Sequence, residues 1–369
     1  MIPSGRTTTR VTASVVAAVT VAVSLGVPAS AAQRPSLRTA ATQPITFVVS
    51  IRSLSNVYQA QYVTGARAFV KWLGYPASSL KVLQSGNNDE AQLTQIQTLL
   101  STTSGKIAIN ADPNTNSIAQ SIAASVQRDP NAYVTMLWSK PNNLWPWQYS
   151  HWVAFIEFNG VTAAEQTANV LLQTMGGHGN IVALQGILGD LSNQQRWQGL
   201  QAFLKAHPSM KLLATESANW EETQAYTETK SLAAKYGKTL NGVWAANDEM
   251  AVGAREALNS LGLRRVPVVS ASDAIPQVLT SIKAGSGIYA TTDPNGYLSG
   301  SVPLALSYYA AIGKINVASL GHAKRAFYAK AELVTQHNVA SVLAPFSATQ
   351  YVPYWTLTGV WRDYAGPML

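Results

Sequence analysis

The strongest constraint on the fold of this chain is an alternation that repeats along nearly all of it. Short apolar runs, read as strands at 45–51, 81–83, 107–110 and 133–138, are separated by stretches with apolar residues at helical spacing, at 58–73, 92–100 and 118–126. Strands apolar along their whole length are buried on both faces. Strand and helix in strict turn predict a parallel sheet covered by helices on both sides. The segment 140–152 breaks the rhythm: it holds Pro141, Pro146 and three Trp without a helical period, and reads as an irregular connection near a domain boundary. Alternation then restarts. Helices are expected at 163–174, 193–206, 221–236, 249–261, 275–284 and 300–312, and strands at 181–185, 212–216, 242–246, 266–270 and 288–292. Two successive sets of βα units predict two doubly wound domains.

The chain begins with an address. Arg6 and Arg10 precede an apolar stretch at 11–27, and Ala29-Ser30-Ala31 follows as a small-residue cleavage pattern. Residues 1–31 read as a secretory signal peptide, with an uncleaved membrane anchor as the alternative; the stretch is short for a span of ~20 residues. Residues 32–45 are a polar, Pro-containing, flexible lead-in. Cysteine is absent, which excludes disulfides, thiolate nucleophiles, Cys-based metal sites and the lipidated Cys of a bacterial lipoprotein. The expected location is therefore extracytoplasmic and free, which means the periplasm in a host with an outer membrane. Formal net charge is +8, but only 12% of residues are charged and the basic ones are scattered. That excludes a nucleic-acid binder. Ten Trp and fifteen Tyr say more, because aromatic faces pack on sugar C–H faces as well as in cores.

No catalytic constellation emerges. The five His have no metal-ligand spacing, and there is no nucleophile elbow and no P-loop. Gly176-Gly177-His178-Gly179 follows a helix and precedes a strand, the reverse of a dinucleotide fingerprint. Glu221-Glu222 opens a helix, where negative charge is favoured. The expectation is no enzyme, no metal and no cofactor.

Every positive signal concerns binding. Asn56, Tyr58 and Gln59 follow the first strand, and Trp138 ends the fourth. Arg196 lies in the first turn of the helix after the loop 186–192, Trp220 follows the strand ending at Glu216, Asn247 opens the next helix, and Asp273 follows the strand ending at Ser270. In parallel sheets these positions share one edge, where open α/β folds take their ligands. A ligand there would meet aromatic walls, one guanidinium fork, one carboxylate and several amides, a set suited to a small polyhydroxylated molecule. Plainer roles stay open at this point. Asn247 is also a good helix cap, Arg196 and Asp273 could pair with each other, and any single Trp is more often core than ligand wall.

The segment NDEMAVGAREAL, from Asn247, resembles the Asn-Asp-x-Met-Ala-x-Gly-Ala element of the type I periplasmic solute-binding proteins of ABC transporters, in the ribose-binding-like branch. The likeness runs from about Thr46 to about Val339. VSIRSLSNVYQAQYVTGA resembles the first strand and loop, with Asn56 and Tyr58 on the family's Asn and first aromatic and Gln59 where a second aromatic is usual. By the same resemblance LQGILGDLSNQQRWQGL nominates Arg196, ESANWEET nominates Trp220 and VVSASDAIPQVL nominates Asp273. The chain departs from the pattern twice. Leu137-Trp138 replaces a usual Asp-Arg, and Asp293-Pro294-Asn295 stands where a hinge Gln is usual.

The resemblance implies two Rossmann-like lobes joined by a three-segment hinge. The expected N-terminal lobe is 46–155 with 295–327, and the C-terminal lobe 156–294 with 328–369. The protein would capture a small sugar or polyol in the interlobe cleft, close by hinge bending, and deliver it as a monomer to an ABC permease in the membrane. The alternative is a ligand sensor that presents the solute to a chemoreceptor or histidine-kinase partner.

Overall fold

The computed structural model describes residues 44–368; the expected signal peptide and most of the lead-in lie outside them. In chain order the elements are β1 (Ile45–Ile51), α1 (Val57–Trp72), β2 (Leu80–Gln84), α2 (Asp89–Thr102), β3 (Lys106–Ala111), α3 (Ala119–Gln127), β4 (Ala132–Leu137) and β5 (Trp152–Phe158). Then come α4 (Gly160–Thr174), β6 (Gly179–Gln185), α5 (Leu191–Ala206), β7 (Met210–Ser217), α6 (Glu222–Tyr236), β8 (Gly242–Ala245), α7 (Asp248–Ser260), β9 (Val268–Ser270) and α8 (Pro276–Ala284). The chain ends with β10 (Thr291–Asp293), α9 (Gly296–Ala311), α10 (His322–Arg325), β11 (Ala326–Ala329), β12 (Glu332–Val334), α11 (Val339–Val342), α12 (Ala348–Trp355) and β13 (Tyr364–Pro367). Asparagine starts many of the helices. The side chains of Asn56, Asn88, Asn159, Asn247 and Asn295 each accept a backbone N–H from the first turn, at 2.9–3.1 Å, which satisfies a donor the helix itself leaves free.

Two sheets organise the chain. The first has the order β13-β11-β5-β4-β3-β1-β2 and is parallel except for β13. The second, β7-β6-β8-β9, is parallel throughout. Residue alternation along β1 splits the first lobe's core: Phe47, Val49 and Ile51 face one apolar cluster, while Val48 joins Ile107, Ile109 and Ile122 in another. Both strand orders reverse direction, at β1 in the first sheet and at β6 in the second. Right-handed crossovers therefore put α1 opposite α2 and α3, and α5 opposite α6 and α7. Each reversal leaves a crevice at the carboxyl ends of the strands.

The chain passes between the sheets at 158–160, 293–296 and 329–332, the three expected crossings. The tail departs from the expected layout. It had been assigned to the C-terminal lobe, but after α11 packs on α8 the segment 343–347 carries it back to the first lobe. There α12 lies on α1 and α9, and β13 adds an antiparallel edge to β11. The cause is apolar. Trp355 is 1% exposed, with its ring centroid 6.1 Å from Phe69 and 5.9 Å from Trp72.

Two elements near the boundaries also differ from expectation. β5 was not foreseen, and its Trp152 closes the Trp-rich segment. Ile45, which falls in both the expected lead-in and the expected first strand, opens β1. The Trp-rich segment does not reach the cleft. Trp145 and Trp147 stack at 4.9 Å, and Trp147 stacks on His322 of α10 at 4.0 Å. Arg325 donates to the carbonyls of Pro146, Tyr149 and Trp152, pinning the segment beneath the sheet edge.

Candidate functional site

All eight residues nominated from the sequence line one cleft between the two sheets: Asn56, Tyr58, Gln59, Trp138, Arg196, Trp220, Asn247 and Asp273. Each reaches it from the carboxyl end of a strand or from the helix that follows. Arg52, Asp112 and Ser192 complete the lining, and sequence reasoning missed them. The signal that would have found Asp112 and Arg52 is the one used for the others, since each directly follows a strand, β3 and β1. The cleft encloses about 410 Å³ counted out to its open mouth, solvent space included.

The first lobe supplies a hydrogen-bonded wall. Gln59 Nε2 donates to Asp112 Oδ2 at 2.8 Å, and its Oε1 accepts from Ser53 N at 3.0 Å. Asp112 Oδ1 is buried with no protein partner, an acceptor facing the cleft region without a donor. Burial raises the Asp112 carboxyl, while Arg52 and the Gln59 bond pull it back. Tyr58 donates to Ser299 Oγ at 2.8 Å, and its ring meets Trp138 edge to face at 5.8 Å. Where a charged pair is usual, Trp138 thus forms a flat apolar wall.

Arg196 dominates the second lobe. Its Nη1 donates to Ala246 O at 2.8 Å, and the guanidinium lies 5.1 Å from the Trp138 ring and 5.3 Å from the Trp220 ring. Two indoles, one from each lobe, thus lie within cation–π range of the guanidinium. Arg196 and Asp273 do not form an ion pair; among the described residues both ion pairs belong to Arg52. Trp220 fits because residue 186 is glycine: a Cβ there would lie 2.1 Å from the indole.

Asn247 is both a cap and part of the lining. Its Oδ1 accepts from Met250 N and its Nδ2 donates to Glu249 Oε2 at 2.9 Å. Asp248, Glu249 and Asp273 form a buried carboxyl group cluster in which burial raises all three above the usual range. Adjacent buried carboxyls disfavour one another's ionisation, and the Asp273 charge raises both Asp248 and Glu249 further. Arg196 offsets part of the rise at Asp273.

The backbone is strained at the same place. Trp138, Trp220 and Asp273 have φ values of 65°, 69° and 121°, and Asn219 and Ala274 beside them are also positive. Such conformations cost on the order of 1–3 kcal/mol each and gather where function fixes a side chain. The arrangement can bind and orient hydroxyls, but no nucleophile stands paired with a base. Among the described residues no group of three or more His, Asp or Glu could hold a metal ion, and no helix is long and apolar enough to cross a membrane.

Comparison with known proteins bears on the family and the fold. The profile of the periplasmic binding protein domain matches residues 47–315. A crystal structure of a twin-arginine translocation pathway signal protein from Burkholderia phytofirmans superposes with TM-score 0.82 at 33% identity, covering 89% of this chain and 99% of that one. The xylitol-binding protein of Mycolicibacterium smegmatis is 35% identical over 152 residues, 41% of this chain and 43% of its own length. The aligned part thus spans less than half of that relative. The ribose import binding protein of Salmonella typhimurium is 27% identical over 240 residues, 65% of this chain and 76% of its own.

Proposed function

Because the chain belongs to the periplasmic binding protein domain family and has the type I periplasmic binding fold, we propose that it captures a small sugar or polyol between its lobes and delivers it to the membrane permease of an ABC importer. It does so as an extracytoplasmic monomer. The family and the xylitol and ribose relatives are binding proteins, not enzymes.

One observation carries the reading: side chains from seven separate strand ends, drawn from both lobes, converge on a single small cleft. The chemistry narrows the ligand. Arg52 and Arg196 are matched by Asp112 and Asp273, so the cleft favours a neutral solute over an ion. Guanidinium and carboxylate groups engage adjacent hydroxyls, while Tyr58, Trp138 and Trp220 cover C–H faces. The names of the xylitol- and ribose-binding relatives support the same class. Contacts from both lobes give the closed form its higher affinity, which is what couples binding to closure.

A thermal-shift screen across pentoses, hexoses and polyols tests the binding step. A ligand present at about 100 times its Kd adds roughly 2.7 kcal/mol to the folded state. At least one compound is expected to raise the melting temperature, and Arg196→Ala and Asp273→Ala are expected to erase the shift while still folding. A screen without hits, or hits that both variants retain, would overturn the assignment. Deleting the gene and measuring uptake of the hit compound tests delivery; unchanged uptake would contradict it.

A further inference from the structure

We propose that Asp190 is the closing clasp of the cleft, a positioning residue that ties one wall from each lobe to a single carboxylate. The proposal rests on the reading of the cleft as a ligand site. Asp190 itself does not line the cleft; it stands at the N-terminal end of α5, where its side chain makes no capping bond, and it has no exposed surface. Its Oδ2 accepts from Arg52 Nη2 of the first lobe at 3.4 Å and from Trp220 Nε1 of its own lobe at 3.1 Å. Both donors belong to residues that line the cleft.

Arg52 has a second set of partners on its own lobe. Its Nη2 donates to Asn114 O at 3.1 Å, and Nη1 lies 3.9 Å from Asp112 Oδ2. It can therefore keep a carboxylate and a carbonyl when the lobes part, and gains Asp190 only when they meet. Arg52 thus stays anchored to its own lobe, and its bond to Asp190 is the part that depends on closure. Other bonds cross the same seam. Asn116 Nδ2 donates to Gly189 O at 2.6 Å, Leu191 N donates to Asn116 Oδ1 at 3.1 Å, and Asn87 Nδ2 donates to Glu221 Oε1 at 3.0 Å. These join neutral amides or exposed side chains, which water replaces readily. The Arg52–Asp190 pair is the charged one, and its side chains are only 16% and 0% exposed, so water and salt screen it least. Removing one partner of such a pair leaves the other charge buried and alone.

The absence of cysteine makes a direct test simple. Thr94→Cys on α2 and Thr223→Cys on α6 lie at exposed positions on opposite lobes and accept a donor–acceptor dye pair. Lobe separation is then read by single-molecule energy transfer, first in buffer alone and then with the panel of pentoses, hexoses and polyols. Asp190→Asn, and separately Arg52→Gln, are expected to shift the ligand-free population toward wider separations, changing the open-to-closed ratio on the order of tenfold. The double variant should go no further than either single one, because both remove the same bond. If Asp190→Asn does not fold, Arg52→Gln carries the same test from the other lobe. Separations that coincide with the parent protein would overturn the clasp. Widening by the variants when no compound binds would sustain the clasp and sink the ligand reading; binding without widening would do the reverse.

Discussion

Arg196 lies in the cleft within cation–π range of two indoles, with Nη1 bonded to Ala246 O. The remaining N–H groups of the fork can serve a pair of hydroxyls. Lysine has the charge but neither the fork nor the planar face. Arg196→Lys is therefore expected to weaken ligand affinity on the order of 10- to 100-fold by calorimetric titration; affinity within a factor of three of wild type would show that charge alone matters. A second residue-scale outcome concerns Glu157, fully buried at the end of β5. Burial pushes its carboxyl up to about 8, against about 4.3 in an unfolded chain. Between those values the folded state holds a proton that the unfolded state has released. The contribution of Glu157 to stability is thus fully present below about pH 4.3 and is lost as pH rises toward 8, by several kcal/mol at roughly 1.4 per unit. Glu157→Gln should lose that slope and gain on wild type from pH 5 to pH 8 in thermal melts; parallel curves would show that Glu157 titrates normally. Most residues of the site were legible because they follow a foreseen strand; Arg52 and Asp112 follow such strands too and were passed over. Glu157 was not legible, because β5 was not foreseen, and the Arg52–Asp190 bond was not, because it joins residues 138 positions apart.

At the scale of elements, the alternation of strand and helix was readable because each strand is apolar throughout and each helix has a clear face. The misses share a different physics. β5, WVAFIEF, is apolar enough to be seen, but it follows directly on the Trp-rich segment and carries a buried Glu. α9 begins at Gly296 and contains Pro303, both weak helix signals. β13, Tyr364–Pro367, is an edge strand with Gly and Pro, tolerated only because one side needs no ladder. Its place on the first lobe follows from Trp355, which nothing local in the sequence directs toward Phe69 and Trp72. Trp355→Ala is expected to cost about 3–5 kcal/mol in urea denaturation. A loss under about 1 kcal/mol would mean that the tail rests on the lobe without stabilising it.

For the whole molecule, the two lobes matter less than the passage of one solute between them. Gln59 reaches the cleft from the first lobe and Arg196 from the second, and a ligand bound by both must hold the lobes together. The most direct measurement is a calorimetric titration of the best ligand from the screen into wild type, Gln59→Ala and Arg196→Ala. Loss of affinity on the order of tenfold or more in each variant is the expected result. Wild-type affinity in either one would mean that the solute sits on a single lobe, and the account of a shared cleft would fail.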